Sequence, residues 1–272
     1  MSLNRDDMLR ELELLPVWKL RDAGVAKPGL VANSPPAGAS PAQQVVEVSE
    51  TERNVVESIS AVEPLSVVES AVFEENRQEQ IQHLDWQALR GCVKSCVACE
   101  LSGTRTQTVF GMGDPHAEWL FVGEAPGVEE DRQGEPFIGQ AGKLLDNMLT
   151  AIKLKRGQNT YITNIMKCRP PESRDPHRGE IVQCEPFLER QVALMQPRLI
   201  LALGRVAAQT LLNTDAAVAE LRGKLHSYNG VPVIVTYHPA YLLRNLTDKA
   251  RAWEDLCYAR RIMQTLQSQV AN

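Results

Sequence analysis

The chain has 272 residues, is 43% hydrophobic and carries a net charge of −5. That length allows one good core or two small ones, and no run approaches the ~18 consecutive apolar residues that a membrane span needs. The amino-terminal stretch MSLNRDDMLRELELLPVW is acidic and has no secretory apolar core. We therefore expect a cytoplasmic protein, whose six cysteines are metal ligands or free thiols rather than disulfides.

The net charge hides an asymmetry. Residues 1–90 hold 8 Lys and Arg against 15 Asp and Glu, whereas residues 91–272 hold 21 against 19. The acid is concentrated in the first third, and the slightly basic remainder permits a local nucleic-acid patch.

Taken in chain order, residues 1–22 read as a short amphipathic helical segment. Met8, Leu12 and Leu15 fall on one face, with Asn4 as N-cap and Pro16 as stop. It would either pack on the main domain or dock as a helix in a protein partner's groove. Residues 23–82 are Pro/Ala-rich and then acidic, with scattered valines and one aromatic, a composition that buries too little surface to offset chain entropy. We expect a disordered linker there, followed by a globular domain over 83–272.

Within that domain EWLFVG (118–123), TYITNIMKC (160–168), RLILALG (198–204) and VPVIVTYHP (231–239) read as buried strands. AGKLLDNMLTAIKL, EIVQCEPFLERQVALM, RVAAQTLLN and KARAWEDLCYARRIMQTL read as helices. Alternating strands and helices imply a parallel sheet covered on both faces. Ligands bind such sheets at the carboxyl edge, and Glu124, Asn164, Gly204 and His238 all fall there.

Cys96, Cys99, Cys168 and Cys184, spaced C-x2-C, C-x68-C and C-x15-C, suggest one four-thiolate site for zinc or an iron–sulfur cluster. In CVKSCVAC, Cys92 is an alternative to Cys96. Cys257 reads as a small core residue of the last helix.

The loop after the first strand poses a puzzle. The stretch from Gly123 through Gly139 contains four glycines, two prolines and five acids. Glycines suit a phosphate cradle, but the carboxylates do not, and no phosphate-binding lysine is present.

The blocks GEAPG (123–127), PFIGQAGKLLD (136–146), YITNIMKCRPP (161–171) and YHPAYLLR (237–244), with the four cysteines, resemble the family 4 uracil-DNA glycosylases. These are iron–sulfur members of the uracil-DNA glycosylase superfamily, and the resemblance covers residues 90–265. It implies a three-layer α/β/α sandwich with a four-stranded, mostly parallel sheet. It also implies a structural [4Fe–4S] cluster on Cys96, Cys99, Cys168 and Cys184. The puzzling loop would then hold a flipped base and its sugar rather than a phosphate.

Breaking an N-glycosidic bond creates an oxocarbenium-like sugar and a uracil anion. The resemblance places Glu124 near the sugar, to favour the cation and orient water. Phe137 would stack on the base, while Gly123, Ala125 and Gly127 line the pocket. Asn164 would donate to uracil O4 and accept from N3–H, a pattern that cytosine reverses. His238 would donate to O2 of the leaving base. Leu243 and Arg244 would enter the duplex, and Lys167, Arg169, Arg174 and Arg178 could contact phosphates. The family commonly has Asn-Arg after the double proline, in support of an acid here represented by Glu130. Ser173 replaces that asparagine and reaches less far.

The function so implied is a monofunctional, monomeric uracil-DNA glycosylase of base excision repair, because no lysine is placed as a Schiff-base nucleophile. The alternative is a non-catalytic uracil- or DNA-binding adaptor, which the Ser173 change invites. A nucleotide-using small-molecule enzyme has only the weak G-x-x-x-G fragment in its favour.

Overall fold

A computed structural model describes residues 77–270. The helical segment expected at 1–22 and most of the linker lie outside the described residues. Residues 77–83 are helical, and Ile81 joins the core beside Leu89 and Val93. Folded residues thus extend into the stretch that composition assigns to the linker. A single isoleucine among polar neighbours gives no periodic signal to read.

Helix α1 (Trp86–Lys94) is capped by Asp85, whose side chain accepts from Ala88 N. Then come β1 (Met112–Gly113), β2 (Trp119–Gly123), α2 (Val128–Gln133), α3 (Gln140–Ala151) and β3 (Thr160–Asn164). They are followed by α4 (Arg178–Met195), β4 (Leu199–Leu203), α5 (Arg205–Leu212) and α6 (Val218–Leu221). The chain closes with β5 (Leu225–Tyr228), β6 (Val231–Thr236), α7 (Pro239–Arg244) and α8 (Lys249–Val270).

The sheet order is β1-β3-β2-β4-β6-β5. The four expected strands, β3, β2, β4 and β6, are parallel and central. The short edges β1 and β5 pair antiparallel and extend the sheet to six strands. Both edges lack the continuous apolar run that marks a central strand: β1 has two residues and β5 reads LHSY.

Alternation within each strand sends side chains to two separate cores. Leu120 and Val122 of β2, with Ile200 and Ala202 of β4, join Phe187, Leu188 and Val192 of α4 and Ala207 and Ala208 of α5. Trp119 and Phe121, with Leu199, Leu201 and Leu203, join Leu144, Leu145 and Met148 of α3 and Ala252, Leu256 and Met263 of α8. Each fully buried leucine contributes roughly 1.5–3 kcal/mol, so the strands read as unbroken apolar runs because both faces are covered. The result is the α/β/α sandwich.

The chain leaves β2 towards β3 on one side, and leaves β4 towards β6 on the other. The carboxyl ends of β2 and β4 therefore flank the point where the winding reverses, which is where open α/β sheets bind ligands.

Candidate active site

Parallel register places the ends of neighbouring strands at one level. Gly123 of β2 is the Cα partner of Asn164 of β3, and Leu203 of β4 that of Thr236 of β6. One more residue on β4 gives Gly204, where a Cβ would lie 2.7 Å from His238 Cβ. At Gly123 a Cβ would lie 2.4 Å from Asn164 Oδ1 and 2.5 Å from Phe137 Cζ. Glycine is needed at both positions to bring these side chains so close. The rings of Phe137 and His238 are 5.4 Å apart between centroids, tilted by 32°. The structure thus brings Gly123, Phe137, Asn164 and His238 together.

Asn164 is 2% exposed, and its Oδ1 has no hydrogen-bond partner. A buried amide oxygen left unpaired costs about 1–3 kcal/mol, so this atom is prepared for a donor that the protein does not supply.

His238 is the N-cap of α7, and its Nδ1 accepts from Ala240 N at 3.1 Å. With Nδ1 accepting, the neutral ring carries its proton on Nε2. Burial, and then the positive charge of Arg244, push the His238 pKa down to about 4. The imidazole is neutral at pH 7 and offers one N–H.

Glu124 follows β2 directly, and its carbonyl accepts from Met166 N at 2.9 Å. Burial raises its carboxyl pKa, the negative charge of Asp175 raises it further, and Arg205 opposes both. Asp175 and Arg205 form an ion pair at 2.5 Å.

The loop from Gly127 to Gly139 is closed by Glu130. Oε2 accepts from Gly127 N at 3.1 Å, and Oε1 accepts from Ile138 N at 3.1 Å and Gly139 N at 3.3 Å. Among the described residues no hydrogen bond joins Ser173 to Glu130; Ser173 is exposed. Three backbone donors therefore supply the support that the sequence assigned to position 173. Gly127 takes part in this closure, and Ala125 packs against the α4-side core.

One expected DNA contact is overturned. Lys167 is 1% exposed, and its Nζ donates to Thr163 Oγ1 at 2.7 Å, Asn164 O at 2.8 Å and Gln191 Oε1 at 2.7 Å. It lies beneath the site and cannot reach a phosphate. Two other expected contacts hold internal partners. Arg174 makes a two-pronged pair with Glu180, at 2.9 and 2.6 Å. Arg169 lies 3.6 Å from Asp131. Leu243 and Arg244 are exposed on α7, Leu243 by 41%, and Leu246 just beyond is exposed by 55%. The sequence reading missed Leu246 because a lone leucine after Asn245 belongs to no motif.

The second expected strand stops at Asn164, so Cys168 lies four residues beyond it. Cys96, Cys99, Cys168 and Cys184 all line one small cavity, together with Arg105, Lys167 and Phe187. Cys92 lines a neighbouring groove instead. Burial raises the thiol pKa values of Cys99, Cys168 and Cys184, that of Cys184 to about 12. Thiols raised in this way ionise together only with cations among them. Arg105 Nη1 donates to Cys168 Sγ at 3.1 Å and Nη2 to Cys96 O at 2.7 Å. Arg77 Nη2 donates to Cys96 Sγ at 3.8 Å. Neither arginine stood out in the sequence, because Arg105 is a lone charge between threonines and Arg77 sits in an acidic stretch. The thiols surround the cavity without closing on a point: among the described residues no group of His, Cys, Asp and Glu is arranged to hold a metal ion.

Fold and site define an α/β protein that gathers an aromatic ring, a buried unpaired amide oxygen and an imidazole at the carboxyl edge of its sheet and carries a separate thiol-lined cavity. The family model of the uracil DNA glycosylase superfamily matches residues 110–257. The Type-4 uracil-DNA glycosylase of Archaeoglobus fulgidus is 45% identical over 159 residues, covering 56% of this chain and 79% of that protein. The Type-4 uracil-DNA glycosylase of Pyrobaculum aerophilum is 38% identical over 181 residues, covering 64% and 92%. That of Thermotoga maritima is 40% identical over 161 residues, covering 58% and 83%. The chain belongs to the uracil DNA glycosylase superfamily, and these relatives set it beside the Type-4 members.

Proposed function

We propose that this protein is a monofunctional uracil-DNA glycosylase, which hydrolyses the bond between uracil N1 and the sugar C1′ and leaves an abasic site for base excision repair. The observation that carries the reading is the buried, unpartnered Oδ1 of Asn164 beside the ring of Phe137. A flipped uracil between them supplies N3–H to Oδ1 and accepts at O4 from the same amide, whereas cytosine leaves both groups unpaired.

As the C1′–N1 bond breaks, its electron pair passes to the base, and the neutral His238 donates Nε2–H to O2 of the resulting anion. Arg244, close enough to depress His238, adds positive charge there. The ionised Glu124 faces the sugar, stabilises its positive charge, orients the water whose oxygen bonds to C1′ and accepts the proton that this water loses. Leu243 fills the space that the base leaves. Because Ser173 does not support Glu130, its presence gives the non-catalytic alternative no footing.

Cys96, Cys99, Cys168 and Cys184 suit a [4Fe–4S] cluster, as their shared cavity and donor chemistry indicate. These four residues would hold the cluster, which would tie residues 96–99 to Cys168 and α4 and so contribute to folding. A cytoplasmic location belongs to the same proposal; among the described residues no helix is long and apolar enough to cross a membrane.

The test uses the full chain with its iron intact and a labelled oligonucleotide containing one uracil. Strand cleavage that requires alkali is expected. Cleavage without alkali would contradict a monofunctional enzyme, and tight retention of the DNA with no abasic product would contradict catalysis.

A further inference from the structure

Phe137 holds its ring against the site from a backbone that bulky residues avoid. Its φ is +54°, in the left-handed region, where such a residue is strained and persists only if its surroundings over-determine it. Those surroundings are specific. On the amide side Glu130 accepts the N–H groups of Ile138 and Gly139. On the carbonyl side Arg156 Nη1 donates to Pro136 O at 2.9 Å and Nη2 to Phe137 O at 2.8 Å. Asp146 aims the guanidinium by accepting from Nε at 2.8 Å. Gly142 makes room for the arrangement, since a Cβ there would lie 1.7 Å from Phe137 O.

We propose that Arg156 is a positioning residue for base recognition, holding two successive carbonyls so that the Phe137 ring stays fixed against Gly123 and His238. This rests on the base-pocket reading above. Arg156 comes from the loop after α3, and its side chain is 16% exposed, so it touches neither base nor sugar. An ion pair with Asp146 alone would need one N–H. The remaining two point at the peptide units on either side of the Phe137 Cα, whose dihedrals set the direction of the ring. A planar fork serves that geometry and a point charge does not.

A base-specific role separates this from simple loop stabilisation. Arg156→Gln in the full-length, iron-loaded protein is compared with wild type in three measurements: uracil excision, inhibition by free uracil, and affinity for duplex DNA carrying a tetrahydrofuran abasic site. Losing a stacking face weakens base binding by about tenfold. We expect kcat/KM to fall and the uracil inhibition constant to rise by about that factor. Affinity for the abasic duplex, which has no base to stack, should stay within about twofold. Arg156→Lys, which retains one carbonyl contact, should recover part of the loss. Unchanged uracil inhibition, or an equal fall in abasic-duplex affinity, would overturn the proposal. Should Arg156→Gln not fold, Asp146→Asn leaves the guanidinium in place but unaimed and should show the same pattern at smaller size; no base-specific change there overturns it too. Wild-type protein inactive on uracil DNA would instead remove the parent reading.

Discussion

Lys167 Nζ donates to the backbone carbonyl of Asn164 at 2.8 Å, so a buried ammonium supports the residue proposed to read the base. The same Nζ binds Thr163 Oγ1 and Gln191 Oε1, and both side chains donate in turn to Phe110 O, at 2.9 Å each. Among the described residues no carboxylate hydrogen-bonds to it. Burial pushes its pKa down to about 7, while Cys184 and Cys168 oppose the shift.

Lys167→Met strips a donor from three buried acceptors, each worth roughly 1–3 kcal/mol. The melting temperature should fall by about 5 °C or more. The salt dependence of DNA binding should not change, because Lys167 touches no phosphate. A slope reduced by about one unit would put Lys167 back at the DNA.

Asn164→Asp replaces the donor to O4 with a second acceptor. The uracil kcat/KM should drop at least about a hundredfold, while affinity for an abasic duplex is retained. Unaltered excision kinetics would dissolve the pocket assignment.

In the proposed mechanism Glu124 acts in its ionised form, and its pKa is raised. The acid limb of kcat/KM should therefore lie above the ordinary carboxylate value of about 4.3. Asp175→Asn removes a charge that raises the pKa and should move this limb to lower pH. Arg205→Gln removes the charge that lowers it and should move the limb to higher pH. Shifts of the opposite sign, read from pH–rate profiles, would assign the limb to another group.

His238 is neutral in the folded protein down to about pH 4, whereas an unfolded histidine protonates near pH 6.5. The unfolded state therefore gains a proton first, and stability is lost as pH falls from about 6.5 to about 4, by up to about 3 kcal/mol. His238→Gln should flatten that part of the stability–pH curve, measured by denaturant melts at pH 7.5 and 4.5. An equal acid loss in both proteins would show that the imidazole is already charged.

Cys96→Ser should lose iron and the visible absorption of the purified protein, whereas Cys92→Ser should keep both, because only Cys96 lines the shared cavity. Iron retained in Cys96→Ser and lost in Cys92→Ser would exchange their roles.

The sequence by itself determined the four central strands and their succession along the chain. Runs such as RLILALG are apolar at every position because each central strand is buried on both faces, and only a parallel sheet between two helical layers accommodates that. Strand ends at or near Glu124, Asn164 and His238 made the carboxyl edge legible as the candidate site. The four blocks supplied the chemistry through resemblance, which periodicity cannot give.

Tertiary structure alone decided what the charged residues do. Lys167 and Arg174 sit in a basic stretch that looks like a phosphate contact, yet the turn after β3 sends one under the sheet and the other onto Glu180. A charge in a sequence does not reveal whether water or a buried acceptor will satisfy it. Only folding brings Arg156 to the carbonyls of Pro136 and Phe137, about twenty residues earlier in the chain, because the pairing depends on α3 carrying the chain back across the edge of the site. Contacts of that range leave no local pattern, so the sequence named the residues that would meet the base, and the fold chose those that hold them in place.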